Sequence, residues 1–343
     1  MQALVFDPAE RNLSFIPSKP IPVISNPDDV IVKIAYSGVC GTDLHIFEGE
    51  YPTCKKPLVL GHESCGTVHA IGKEVKDLKV GDRVALDPQS VCYSCEFCRE
   101  GSPHLCPNNL PSGIFCDGGW AEFCKVSQKQ VYVLPHGLSL EKAMLCEPLS
   151  CICHGLNRIS PVPIGSRILV NGAGIIGNLF CSALHFAGHR DVYVSEPNSA
   201  RQELNKKSGT GFVVGSPDYL EKQCSELGID LCIDCSGNAK ALEFGMKLLN
   251  KGGKLLIFGV AAPETKISVH PFEIYQKELT IYGAALNRFS FQQAIDMMNV
   301  LDSWYLDYNN LGIRRYSLKE YKEALNTLKQ GEISKVVFVV NEE

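Results

Sequence analysis

The sequence predicts an α/β protein of two units, an irregular β-barrel-like region followed by a doubly wound parallel sheet. Three observations predict it. Short β-rich runs punctuated by Gly and Pro fill the first half. From about Glu147, apolar strands alternate with helical patterns, the texture of a parallel sheet covered on both faces. One of those strands runs straight into a glycine-rich turn. At 343 residues the chain also exceeds what one hydrophobic core usually organises, so two domains are expected.

The β-rich runs are Asp29 to Tyr36, Gly66 to Ile71, Asp82 to Leu86, Phe123 to Val126 and Gln130 to Leu134. In the second half the expected strands are Arg167 to Asn171, Asp191 to Ser195, Phe212 to Val214, Ile229 to Asp234, Lys254 to Phe258 and Leu279 to Gly283. Helices fall between them at Gly174 to Ala187, Ser199 to Ser208, Asp218 to Glu226 and Ala239 to Leu249. Asn250 and the Gly252-Gly253 pair are expected to stop the last of these. Beyond Gly283, amphipathic stretches at Phe291 to Leu301 and Leu318 to Leu328 and an apolar strand, Lys335 to Val340, are able to cap either unit.

Charged residues make up 21% and hydrophobic residues 45%, ordinary globular usage. A net charge of −5 without any Lys/Arg-rich stretch argues against a nucleic-acid partner. The start of the chain lacks a basic segment followed by a long apolar run, and no stretch reaches the length of a membrane span, so a cytoplasmic location is expected. Sixteen cysteines in a reducing compartment serve as metal ligands, nucleophiles or small core residues, and their spacing decides which.

Ile168 to Asn171 leads into Gly172-Ala173-Gly174-Ile175-Ile176-Gly177, a G-x-G-x-x-G turn opening a helix. The glycines allow a tight turn, close approach to a pyrophosphate and tight helix–sheet packing, and the helix N-terminus offers free N–H groups. Glu196 ends the next strand, 19 residues past Gly177, where a carboxylate binds adenosine ribose hydroxyls and disfavours a 2′-phosphate. NAD is therefore expected over NADP, although Arg201 lies one helical turn onward, where an NADP enzyme would use it.

Cys92-x2-Cys95-x2-Cys98-x7-Cys106 lets one loop wrap a tetrahedral ion in four sulfurs, a closed structural zinc site. Bacterial iron–sulfur motifs place three residues before the final cysteine, where this loop has seven. Cys40 and His62 come from two other loops of the first unit. A catalytic zinc site uses three protein ligands and leaves a position open, and Glu63 and Glu147 both qualify as the third. Thr42 offers a hydroxyl near the substrate oxygen and His45 a titratable group, a proton relay to water.

Gly61-His62-Glu63-x2-Gly66-x5-Gly72-x2-Val75 resembles the zinc signature of the medium-chain dehydrogenase/reductase superfamily. The cysteine lobe and glycine turn follow in that family's order, and the resemblance spans essentially the whole chain. Glu147-Pro148-Leu149-Ser150 is similar to the sorbitol and related polyol dehydrogenases. The resemblance implies a GroES-like zinc catalytic domain from residues 1–148 and 287–343, a Rossmann NAD-binding domain from 149–286, and an active site in the cleft between them. It implies one catalytic and one structural zinc per subunit, with Cys40 and His62 as catalytic ligands. Glu63 either ligates or stands behind the metal, and Glu147 occupies the position of a cysteine in alcohol dehydrogenases. Tyr51, Phe115, Asn287 and Arg288 lie in segments similar to the family's substrate-lining parts, and a homodimer or homotetramer is expected.

The function implied is NAD-linked oxidation of a secondary alcohol of a polyol or sugar-derived substrate to the ketone. An amino-acid alcohol such as threonine, a sugar phosphate or a simple secondary alcohol would use the same motifs. A metal-dependent lyase would have no need of Glu196, and a non-catalytic nucleotide-binding or structural relative would have no need of Cys40, Thr42 and His62 together.

Overall fold

The computed structural model describes residues 1–301 and 304–341. The expected catalytic segment 287–343 thus includes residues 302, 303, 342 and 343, which lie outside the described residues.

The chain opens with β1 (Ala3–Asp7), β2 (Asn12–Ile16), β3 (Asp29–Gly38), α1 (Gly41–Glu48) and β4 (Leu58–Val59). Then come β5 (Ser64–Ile71), β6 (Arg83–Leu86) and a one-turn helix, α2 (Glu96–Arg99), inside the cysteine loop. β7 (Phe123–Ser127), β8 (Val131–Val133), α3 (Leu140–Ala143) and α4 (Cys146–Ile159) complete the first half. Each expected strand of that half forms, with ends moved by up to two residues. The small antiparallel sheet β2-β1-β4 was not anticipated, because two of its strands are five residues long and the third only two. Too short a window carries no clear period.

The second unit alternates β9 (Ile168–Asn171), α5 (Ile175–Phe186), β10 (Val192–Ser195), α6 (Ser199–Lys207), β11 (Val213–Gly215) and α7 (Pro217–Cys224). It continues through β12 (Ile229–Asp234), α8 (Ala239–Leu248), β13 (Leu249–Ile257), α9 (Pro271–Lys277) and β14 (Thr280–Gly283). These strands form one parallel sheet in the order β11-β10-β9-β12-β13-β14, which makes the crossing point between β9 and β12 a topological switch point. Gly252 and Gly253 do not stop a helix by themselves. α8 passes directly into β13, whose register against β12 shifts where these glycines add residues.

The rest of the chain, α10 (Phe291–Val300), α11 (Tyr308–Leu311), β15 (Ile313–Ser317), α12 (Tyr321–Gln330) and β16 (Lys335–Val339), returns to the first half. β16 pairs antiparallel with β3, closing a seven-stranded sheet. The barrel is therefore GroES-like in being built from both chain ends, and the second unit is a Rossmann fold.

α4 joins the two units. Leu149, Ile152, Cys153 and Leu156 recur at helical spacing, and the first three are fully buried. They belong to one apolar cluster running from Ala35, Cys65 and Ala85 of the barrel to Val170 and Leu256 of the parallel sheet. Each such side chain contributes about 1.5–3 kcal/mol by leaving water. The seam expected between 148 and 149 falls inside this continuous helix. Its N-terminal turn faces the barrel, and its Gly155 packs under Phe258 and Leu256.

Candidate active site

β3 ends at Gly38, and Cys40 two residues on is the N-cap of α1. Asp43, at the third helical position, accepts a hydrogen bond from the Cys40 backbone N–H at 2.8 Å, so a capping box fixes the cysteine's backbone. Its other carboxylate oxygen lies 3.5 Å from His62 Nδ1. That orients the imidazole and leaves Nε2 as the nitrogen for a metal. His62 and Glu63 precede β5, held by Gly61, whose φ of +92° and contact with the Trp120 ring exclude any side chain there. One atom each from Cys40, His62 and Glu63 lies within 4.8 Å of the others.

Lys335, the first residue of β16, reaches this group from the far end of the chain. Its Nζ lies 2.5 Å from Glu63 Oε2 and donates to the Val39 carbonyl at 3.2 Å. Both residues are only 1% exposed. Burial disfavours the ammonium, but Glu63 and Cys40 outweigh it and hold the lysine above its ordinary pKa.

Glu147, on the first turn of α4, is 7% exposed. Burial pushes its carboxyl up to about 7, while His62 pulls it down and Glu63 pushes it further up. It stands beside the Cys40–His62–Glu63 group without belonging to the compact set.

In the cysteine lobe, one sulfur each from Cys92, Cys95, Cys98 and Cys106 lies within 4.8 Å of the others. Cys95–Cys106 and Cys106–Cys92 are separated by 3.7 and 3.5 Å. A tetrahedron with metal–sulfur bonds of about 2.3 Å has edges of about 3.8 Å, so these spacings fit zinc. Hydrogen bonding from the Ser94 backbone lowers the Cys92 thiol to about 5, towards the thiolate a metal binds.

At the glycine turn, Gly172 has φ +96°, and a Cβ on Gly177 would meet the Gly172 carbonyl at 1.9 Å. A Cβ on Gly174 would meet nothing within 4 Å, which is the open space a pyrophosphate needs against the N-terminus of α5. Ile175 and Ile176 open that helix and pack against the core. Glu196 is already engaged, accepting from the backbone N–H of Ala173 at 2.8 Å and of Asn198 at 2.9 Å. Arg201 lies close by in the first turn of α6, capped by Asn198, and its buried Nε has no hydrogen-bond partner among the described residues.

Residues 26–136 match the alcohol dehydrogenase GroES-like domain and residues 176–300 the zinc-binding dehydrogenase domain. D-arabinitol dehydrogenase 1 of Uromyces fabae is 30% identical, covering 99% of this chain and 97% of that one. The chain belongs to the zinc-containing medium-chain dehydrogenase superfamily. L-threonine 3-dehydrogenase of Pyrococcus horikoshii is 32% identical over 92% of both chains. The solved structure of a zinc-binding dehydrogenase from Sinorhizobium meliloti 1021, bound to NADP, superposes with a TM-score of 0.90 at 31% identity, covering 99% of each chain.

Within this dehydrogenase the other expected residues divide into two groups. Tyr51 and Phe115 pack on the same apolar cluster, and the Tyr51 phenol, raised by burial, feels the fields of His62 and Cys40. Thr42 Oγ1 lies 3.7 Å from the Cys40 sulfur, and the helix N-cap is Cys40 rather than Thr42. His45 Nδ1 bonds Glu50 at 2.7 Å near the surface. Asn287 and Arg288 belong elsewhere. Asn287 is 1% exposed, its side-chain amide donating to Asp87 at 3.2 Å and its backbone carbonyl accepting from the Gln89 side chain at 2.9 Å. Arg288 donates to the Gly101 carbonyl at 2.7 Å. These bonds tie the chain leaving β14 to the segment after β6 and to the cysteine lobe.

Asp43, Lys335 and Cys151 went unnoticed in the sequence. Asp43 had a signal, the third position after an N-cap. Lys335 had a weaker one, a lone cation opening an apolar strand. Replacing Lys335 with Met leaves Glu63 buried without its counter-charge, which is expected to cost about 3–5 kcal/mol of unfolding free energy. Urea denaturation measures it, and a loss below about 1 kcal/mol would show that the pair does not hold the site together.

Proposed function

We propose that this dehydrogenase oxidises a secondary alcohol of a polyol or sugar-derived substrate to the ketone, reversibly, with NAD. The observation that carries the reading is the meeting of Cys40, His62 and Glu63, one ligand atom of each within 4.8 Å of the others, with a second carboxylate, Glu147, beside them. The donor set of thiol, imidazole and carboxylate suits zinc.

When bound, zinc there supplies the Lewis acidity that lowers the pKa of a substrate hydroxyl, and NAD supplies the hydride acceptor. We assign Glu63 as the third ligand, its other oxygen held by Lys335, and leave Glu147 as acceptor for a neighbouring hydroxyl of a polyhydric substrate. Thr42 Oγ1 accepts the reacting hydroxyl's proton as it releases its own O–H proton towards water, and His45, bonded to Glu50, takes up that released proton on the way. Tyr51 and Phe115 cover the apolar wall and exclude water. Arabinitol dehydrogenase among the relatives supports a polyol, and threonine dehydrogenase supports an amino-acid alcohol as the second reading.

The domain division that accompanies this reading is residues 1–148 with 287–343 for the metal and 149–286 for the nucleotide, α4 spanning the seam. The four-cysteine lobe takes the second, structural zinc. A cytoplasmic location suits it, since sixteen thiols need a reducing compartment to stay free. Among the described residues, no helix is long and apolar enough to cross a membrane.

Incubation with NAD and a panel of pentitols, hexitols, threonine and simple secondary alcohols should give NADH absorbance with polyols foremost. Thr42→Val should lose most of that rate while keeping its zinc. Absorbance with threonine alone would select the second reading, and flat traces throughout from zinc-loaded protein would remove both.

Glu196→Ser should shift the ratio of kcat/KM for NAD over NADP downward by at least about tenfold, the value of a lost charge-assisted hydrogen bond. An unchanged ratio removes Glu196 from cofactor selection.

An oligomer formed through the edge of the parallel sheet completes the proposal. β14 ends that sheet and exposes Ile281, with Phe272 and Tyr275 of α9 also exposed. Ile281→Lys should yield monomers by sedimentation, and a wild-type monomer would sink the idea.

A further inference from the structure

Cys151 lies one helical turn beyond Glu147 on α4, so the two side chains share a face. Its sulfur is 3.4 Å from Glu147 Oε1, the only hydrogen bond to that carboxylate among the described residues. The thiol feels the charge of Cys40 as well, which places it on the metal side of the helix. Yet it stands outside the compact Cys40–His62–Glu63 group. Burial first, then Glu147, pushes its pKa well above the ordinary thiol value, so the S–H proton is retained and available for donation.

The neighbouring residues are committed elsewhere. Ser150 donates its hydroxyl to the Glu147 carbonyl at 2.6 Å, and the Ser150 carbonyl accepts from Ser290 at 2.7 Å. The backbone of this turn is therefore fixed from both sides, while the Glu147 side chain has one anchor. Without it the carboxylate would be left between opposing fields, drawn by His62 and Lys335 and repelled by Glu63, with no directed bond to fix which oxygen faces the site.

We propose that Cys151 is a positioning residue for the alcohol site: its S–H holds Glu147 Oε1, so that Oε2 stays free as the acceptor for a second hydroxyl of the substrate. The inference rests on the polyol reading above. It makes a particular kind of demand, because a substrate with a single hydroxyl has nothing to give to Glu147 and should not notice the cysteine.

The test uses full-length enzyme with zinc in both sites, as wild type, Cys151→Ala and Cys151→Ser. Steady-state kinetics are read with the best pentitol or hexitol and with 2-propanol. A second preparation carries cobalt(II) in the catalytic site alone. Cys151→Ala should raise KM for the polyol about fivefold with kcat nearly unchanged and leave KM for 2-propanol where it was, a modest change because a thiol is a weak donor. Cys151→Ser, which restores a donor, should recover most of the loss. The sulfur-to-cobalt absorption should be the same in all three proteins.

Parallel changes for both alcohols, or a serine variant as impaired as the alanine one, would reduce Cys151 to packing and overturn the inference. Weakened sulfur-to-cobalt absorption in Cys151→Ala would make the cysteine a ligand and overturn it too. Wild-type activity with unaffected variants defeats only this inference, whereas a wild type inactive on every polyol defeats the polyol reading with it.

Discussion

The ion pair between Lys335 and Glu63 is the constraint on which the site depends, because it ties the two ends of the chain to one point. Lys335 opens the strand that pairs with β3, and β3 delivers Cys40, so register in the seven-stranded sheet sets where the ammonium sits. A one-residue slip of β16 would turn Lys335 to the opposite face and leave Glu63 buried alone. Buried pairs of this kind are weak contributors to stability, since desolvation takes back most of the Coulombic gain. What the pair secures is the orientation of the carboxylate that the proposed reading gives to the metal.

α4 does the corresponding work between the domains. Its first two turns carry Glu147 and Cys151 on one face beside Cys40, His62 and Glu63, and its middle is sunk in the cluster shared by barrel and parallel sheet. The chain leaving β14 adds a second tie, where Asn287 and Arg288 bond to Asp87 and Gly101 of the barrel half. Catalysis by a metal on one domain and a nucleotide on the other requires relative placement to be held to fractions of an ångström. These elements hold it with apolar burial on one side and directed hydrogen bonds on the other.

That division explains what was legible in the sequence. Strands of the parallel sheet are buried on both faces and read as apolar runs, so β12 was located to the residue and its neighbours within one or two, except that β13 starts five residues early. The cysteine lobe and glycine turn were legible because their chemistry depends on spacing along the chain. α4 was not legible as a helix because its buried face is built from cysteines and a glycine as much as from leucine and isoleucine, which blunts the pattern. The Asn287–Asp87 bond was not legible, since an amide reads the same whether it faces a substrate or a buried carboxylate. Lys335 is tied to Glu63 across most of the chain, and no local pattern announces such a pairing.

The charge of the assembled site gives the metal its reason to bind. Glu63, Glu147 and the Asp43 carboxylate behind His62 crowd acidic groups into a buried space beside Cys40, and Lys335 and His62 are the basic groups that face them. On the proposed reading a divalent cation would meet the electrostatic deficit that so many acidic groups leave in a buried space. Burial pressing Glu147 up to about 7 is the same deficit seen from one member, since its charge is tolerated there only against positive neighbours. A cysteine at position 147 would bring the same formal charge when bound but none when free, and it has no second oxygen. A carboxylate has two, and on the polyol reading that spare acceptor would let one side chain answer both to the helix behind it and to a hydroxyl-rich substrate in front.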